Sequence, residues 1–230
     1  MGLTLHYELA APACPAAKAR SLVEELRIHA QSLPFLDVSD IIELKGDDCR
    51  FDPKNRKGPH SWLKTQTIRF LIDGNVVSTP DESYPIHIIA FTVDPAEGSE
   101  NANFGLCRYP KAKGWAWASF CKTQYASNPS TGDVANFLKC HLGLVALLDK
   151  AGEMGILGPV KDEGHYWDNR DVATLTKEVG MWNRMIAGFY GGLRDAVEAA
   201  GGNAAVLQAE ITKFRDFERL EAEGRKGESS

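Results

Sequence analysis

Past the middle of this chain the apolar residues shift from strand-like to helical spacing, and that shift limits what it can fold into. Leu3, Leu5, Tyr7 and Leu9 alternate with Thr4, His6 and Glu8, the period of two that gives a strand one buried face. Further strands are expected at Val38–Leu44, Ile86–Val93, Phe104–Tyr109 and Trp115–Cys121. Ile86–Val93 is apolar on both faces except at His87, as a central strand would be. Ile68, Phe70 and Ile72 followed by Asp73-Gly74 and Val76-Val77 predict a hairpin, because Asp-Gly accepts the positive φ of a tight turn.

Beyond residue 130 the spacing becomes three and four. Phe137, His141, Leu144 and Leu148 share one helical face, and Val172, Leu175, Val179, Trp182, Ile186, Phe189, Leu193 and Val197 share another. Leu207, Ile211, Phe214 and Phe217 predict a last amphipathic helix. A helix carrying Ala19, Leu22, Val23, Leu26 and Ala30 should start near Pro15. Ser130 with Asp133 resembles a capping box, and Asp168 or Asn169 is placed to cap the long helix. Strands first and helices later predict an α+β fold. The sheet is largely antiparallel, a strand-helix-strand start followed by a meander, with helices on one face and a helical carboxy-terminal part. No repeat or linker divides residues 1–230, so one domain is expected, with 204–224 able to form a helical arm.

A net charge of -5 argues against nucleic acid as the main partner, since phosphate binding needs a concentrated basic face. No apolar run reaches the roughly 18 residues needed to span a bilayer, and the start lacks the pattern of a secretory signal. The five cysteines form no CxxC pair, which reads as reduced thiols in a cytoplasmic protein.

Reactive and aromatic side chains concentrate between Phe104 and Asp171. In Trp115–Cys121, a strand would put Trp115, Trp117, Ser119 and Cys121 on one face and Ala116, Ala118 and Phe120 on the other. The first face could wall a pocket for a flat or apolar ligand or simply place two large residues in the core, and the alanine face suits close approach of a helix. Cys121, at a strand end, is the nucleophile candidate, with His141 or His165 as base and Asp162 or Asp168 as orienter; the alternative is a buried, inert cysteine. In the run Asp162-Glu163-Gly164-His165-Tyr166-Trp167-Asp168, Asp162, Glu163 and His165 could converge as metal ligands or an acid/base set while Tyr166 and Trp167 stack on a substrate, or the run could simply turn at Gly164 and cap the next helix. Arg108 could clamp an anion or pair with these acids. No HxxxH, HExxH, GxGxxG, GxSxG or phosphate-loop motif is present, so no metal ligand set or cofactor can be assigned from sequence.

Three readings follow. The first is a protein that binds a small molecule or a protein partner through an aromatic-lined pocket, between the Trp115–Trp117 face and residues 165–167. The second is a thiol-dependent or acid/base hydrolase using Cys121. The third is a homodimer joined through the carboxy-terminal helices.

Overall fold

Leu5, Tyr7, Leu9 and Ala11 lie on the buried face of β1 (Thr4–Ala11), while His6, Glu8 and Ala10 stay exposed. These relations come from a computed structural model describing residues 3–68, 84–201 and 210–227. The expected Asp73-Gly74 hairpin lies outside the described residues.

The described residues hold a seven-stranded antiparallel sheet with strand order β2-β4-β5-β6-β1-β7 and β3 also on β4. The further strands are β2 (Asp37–Val38), β3 (Ile42–Lys45), β4 (His87–Asp94), β5 (Ala102–Arg108), β6 (Trp115–Lys122) and β7 (Leu157–Asp162). The expected strand at Val38–Leu44 is two short ones, and both pair with β4. β4 is central, as its two-sided apolar pattern required. β4, β5 and β6 form the meander, and β1 returns between β6 and the edge strand β7. Pro159 and Lys161 on β7 protect that edge against further pairing.

Across the sheet, Tyr7 stacks on Phe104 at 4.7 Å, and Phe104 on Phe91 at 5.7 Å. Ser119 lies opposite Tyr7 on the intervening strand β6, and its small side chain leaves room for the ring to reach over. The helices α1 (Ala16–Ser32) and α3 (Asp133–Glu153) pack on this buried face and on each other. The short α2 (Ser61–Gln66) contributes the buried Leu63. A single turn, α4 (Tyr166–Asn169), leads into the long α5 (Val172–Ala199), and α6 (Phe217–Gly227) packs back along α5. The α+β class, the antiparallel sheet and the helical carboxy-terminal part are as the spacing predicts.

α1 starts at Ala16 with Pro15 as its cap, where the helix was expected to begin. Two later helix ends differ from expectation, where left-handed backbone intervenes. α3 follows Gly132 at φ 120°, and Ser130 turns to Asn128, its hydroxyl donating to Oδ1 at 2.7 Å. Asp171, not Asp168 or Asn169, caps α5 by accepting from Ala173 N at 2.8 Å, because Arg170 at φ 54° breaks the chain after α4. The last helix starts at Phe217; Ile211 and Phe214 precede it and bury against Ile186 and Ala187 of α5. That stripe is therefore satisfied within the chain, and Leu207 lies outside the described residues.

Candidate functional site

Period 3.6 puts His141 on the buried side of α3, beside Phe137 at 5.5 Å between ring centroids. β7 ends on Asp162, and the chain leaves β6 at Thr123. These three meet. His141 Nε2 lies 3.1 Å from Asp162 Oδ2, and His141 Nδ1 lies 3.0 Å from Thr123 Oγ1. With the Thr123 hydroxyl donating to Nδ1, the ring donates Nε2–H to the carboxylate. Asp162 also accepts from Gly164 N at 2.7 Å and Trp167 N at 2.9 Å, which fixes the turn into α4. Burial pushes the Asp162 carboxyl up, but the hydrogen bonds from His141 and from the two backbone N–H donors outweigh it, leaving it below its ordinary value.

The sequence order Cys121, His141, Asp162 is thus half realised. Asp162 orients His141, but Thr123 occupies the place expected for Cys121. The Cys121 thiol points elsewhere and donates to Glu100 O at 3.0 Å. Burial, with Cys140 and Glu100 nearby, pushes it well above the ordinary thiol range. Thr123 and His141 are fully buried and Asp162 nearly so, which makes the trio a structural clamp closed to substrate. Native Cys121 is accordingly expected to alkylate more slowly than a free thiol at pH 7, and at the free rate only in denaturant. Rapid modification of Cys121 in the native protein, located by peptide mass mapping, would restore the nucleophile reading.

His165 is exposed, in left-handed backbone at φ 57°. Tyr166 meets His141 edge-on at 6.3 Å. The Arg170 guanidinium covers Trp167 at 4.6 Å and Tyr166 at 5.8 Å, while both its NH groups bind Asp149 at 2.8 Å. These two rings are platforms already occupied by the chain itself. Arg108 is exposed at the end of β5, opposite His87. Two strands, β6 and β1, separate it from Asp162 on β7.

Trp115 and Trp117 do share a face, but that face turns into the core. Their indole N–H groups donate to Cys14 O at 3.2 Å and Asn103 O at 2.8 Å. They pair with Ala11 and Leu9, whereas Asp162, which leads into residues 163–167, pairs with Leu5 at the other end of β1. The structure does not bring them against Tyr166 and Trp167.

The alanine face is the open one. Ala118 is exposed and Phe120 is 52% exposed. Here β7, β1 and β6 floor a groove of about 440 Å³ lined by His6, Glu8, Phe120 and Lys161, among others. A second hollow of about 220 Å³ adjoins it, sharing Glu8, Gln66 and Ala118 and walled by Trp117 and Tyr109. The His6 and Phe120 rings lie 5.8 Å apart, and Lys161 pairs with His6 in register. Gln66, the last residue of α2, closes one side. Its Nε2 donates to Ser119 Oγ at 2.6 Å, and its Oε1 accepts from Asn103 Nδ2 at 2.9 Å. Asn103 in turn receives Thr92 Oγ1 at its Oδ1, and Tyr7 OH at its backbone oxygen, both at 2.9 Å.

Thr123, Gln66 and Asn103 carried no sequence signal. Their partners are distant in the chain, and isolated polar residues have no periodicity to read. Among the described residues, no three His, Cys, Asp or Glu side chains are placed to share a metal ion, and no helix is long and apolar enough to cross a membrane. Comparison with protein-family models, curated proteins and solved structures finds no match.

Proposed function

We propose that this chain is a ligand-binding protein whose site is the open face of the sheet over β7, β1 and β6. The observation that carries this reading is the double hollow, whose wall residue Gln66 is held by a polar chain running into the sheet. Phe120 stands half exposed in a concave lining of apolar and polar groups, the composition of a small-molecule site. Phe120 and His6 offer rings for stacking, Glu8 a carboxylate and Lys161 an ammonium. A flat small molecule with polar substituents of both signs fits these groups, and so does a partner's side chain of that kind. The five free thiols support a reducing, cytoplasmic setting.

The test is a thermal-shift screen of aromatic acids, amines and amino acids on the wild-type chain and on Ala118→Trp. Ala118 is exposed, so the indole fills the groove and leaves the ligand-free melting temperature near its wild-type value. A ligand at a hundred times its Kd should stabilise the wild type by about 2.7 kcal/mol, and the variant should lose most of that. Equal ligand-induced shifts in both would place the site elsewhere.

A further inference from the structure

α5 presents three faces, and two are used. Leu175, Val179, Ile186 and Ala187 bury toward the chain's own cores, and Gly188 and Gly191 receive α6 at Gly224 and Glu221. The third carries Met181, Met185 and Phe189, which are 44%, 39% and 50% exposed. Spaced by four, they form one stripe about 12 Å long. Gly192 extends it, and a Cβ there would meet nothing within 4 Å.

We propose that this stripe is the interface of a homodimer in which α5 packs antiparallel on α5 of a second copy. The stripe is its own complement. With the dyad at residues 185–186, Met185 meets its counterpart, and Met181 meets Phe189 beside the room left by Gly192. The charged edge fits the same operation. Lys177 and Asp195 are 18 residues apart, which at 3.6 residues per turn is five turns, so both lie on one edge, about 27 Å apart. They sit at equal distances either side of residue 186, and the antiparallel dyad sets each Lys177 against the other copy's Asp195. Asp195 is half exposed while its other contacts, to Arg225 at 2.6 Å and Arg194 at 3.8 Å, come from within the chain. Glu178 falls opposite Gly192 and Ala196, where no like charge opposes it. A parallel pairing would carry that edge to opposite sides of the seam, so Lys177 and Asp195 would not meet across it. Methionines suit such a surface, since their flexible side chains adapt to a partner.

Sedimentation equilibrium at 5–100 μM tests this. The wild type should be a dimer, and Met185→Glu, which puts two carboxylates at the dyad, should weaken it about a hundredfold or more while circular dichroism stays unchanged. Geometry is tested by oxidation in a Cys14→Ser background. Met185→Cys should cross-link to itself, and Lys177→Cys, about 27 Å from its counterpart, should not. A monomeric wild type at 100 μM overturns the proposal. So does a Met185→Glu chain that stays dimeric, or cross-linking at 177 in place of 185.

Discussion

His141→Leu is expected to lower folding stability by about 3–5 kcal/mol, because it removes one partner of a buried pair and leaves the other uncompensated. Neither side chain of the pair touches solvent. Leucine fills much of the imidazole's space, so the cost is electrostatic. Asp162 loses the His141 donor and keeps two backbone N–H groups, and the Thr123 hydroxyl loses its partner as well. The pH dependence follows from the sign of the Asp162 shift. Its carboxyl is held below its ordinary value in the folded chain, so the unfolded chain takes up the proton first as pH falls. The stabilisation is complete above the unfolded value of about 3.9 and is lost as pH falls through the lower folded value. Guanidinium midpoints at pH 7, 5, 4 and 3 should show the wild type losing more stability below pH 5 than Asp162→Asn does. Equal stability of the two chains at pH 7, with parallel acid slopes, would remove the clamp from this account.

The clamp also shows how far the sequence could be read. That Asp162 serves His141 was legible, because both stand out as polar residues at positions where an element turns inward. That Cys121 does not join them was not. Period two places Cys121 on the buried face opposite Leu5, but only the approach of the Glu100 carbonyl decides where its thiol points. Thr123, one step further along the same parity, lies past the strand end where α3 passes. The tryptophan face was legible as a face, and the side the helices cover was not, since both faces of β6 carry apolar residues. Covering the Trp115–Trp117 side gives those rings their burial and hands the alanine side to solvent, the reverse of what small residues suggested. The helix caps failed for a local reason. Gly132, His165 and Arg170 take positive φ, and two of these three are not glycine, so nothing in their identity announces the break. The groove needed Gln66 brought to Ser119 from 53 residues away, a contact no local pattern encodes.

Gly105→Val is expected to cost about 3 kcal/mol or more. Gly105 lies on β5 opposite Ala90 of β4. A Cβ there would stand 2.5 Å from Ile89 O and 2.6 Å from Ala90 Cβ. Neither atom can give way cheaply. Ile89 and Ala90 also pair with Glu43 and Ile42 of β3, so β4 is held from both sides and the strands must part. Parting β5 from β4 moves Asn103, which anchors Gln66 and receives Thr92 from β4; the same substitution should therefore weaken any ligand held in the groove. Gly180→Ala is the control of opposite sign. Gly180 lies inside α5, and among the described residues a Cβ there meets the end of the long Arg184 side chain at 3.5 Å, an ordinary van der Waals contact, so alanine should add up to about 1 kcal/mol through helix propensity alone. Chemical denaturation of the three chains separates the effects. If Gly105→Val unfolds too far to measure, Gly105→Ala carries the test, since the clash begins at Cβ. A Gly105→Ala chain within about 0.5 kcal/mol of wild type, the range of an ordinary surface substitution, would mean that β4 and β5 do not approach as closely as described.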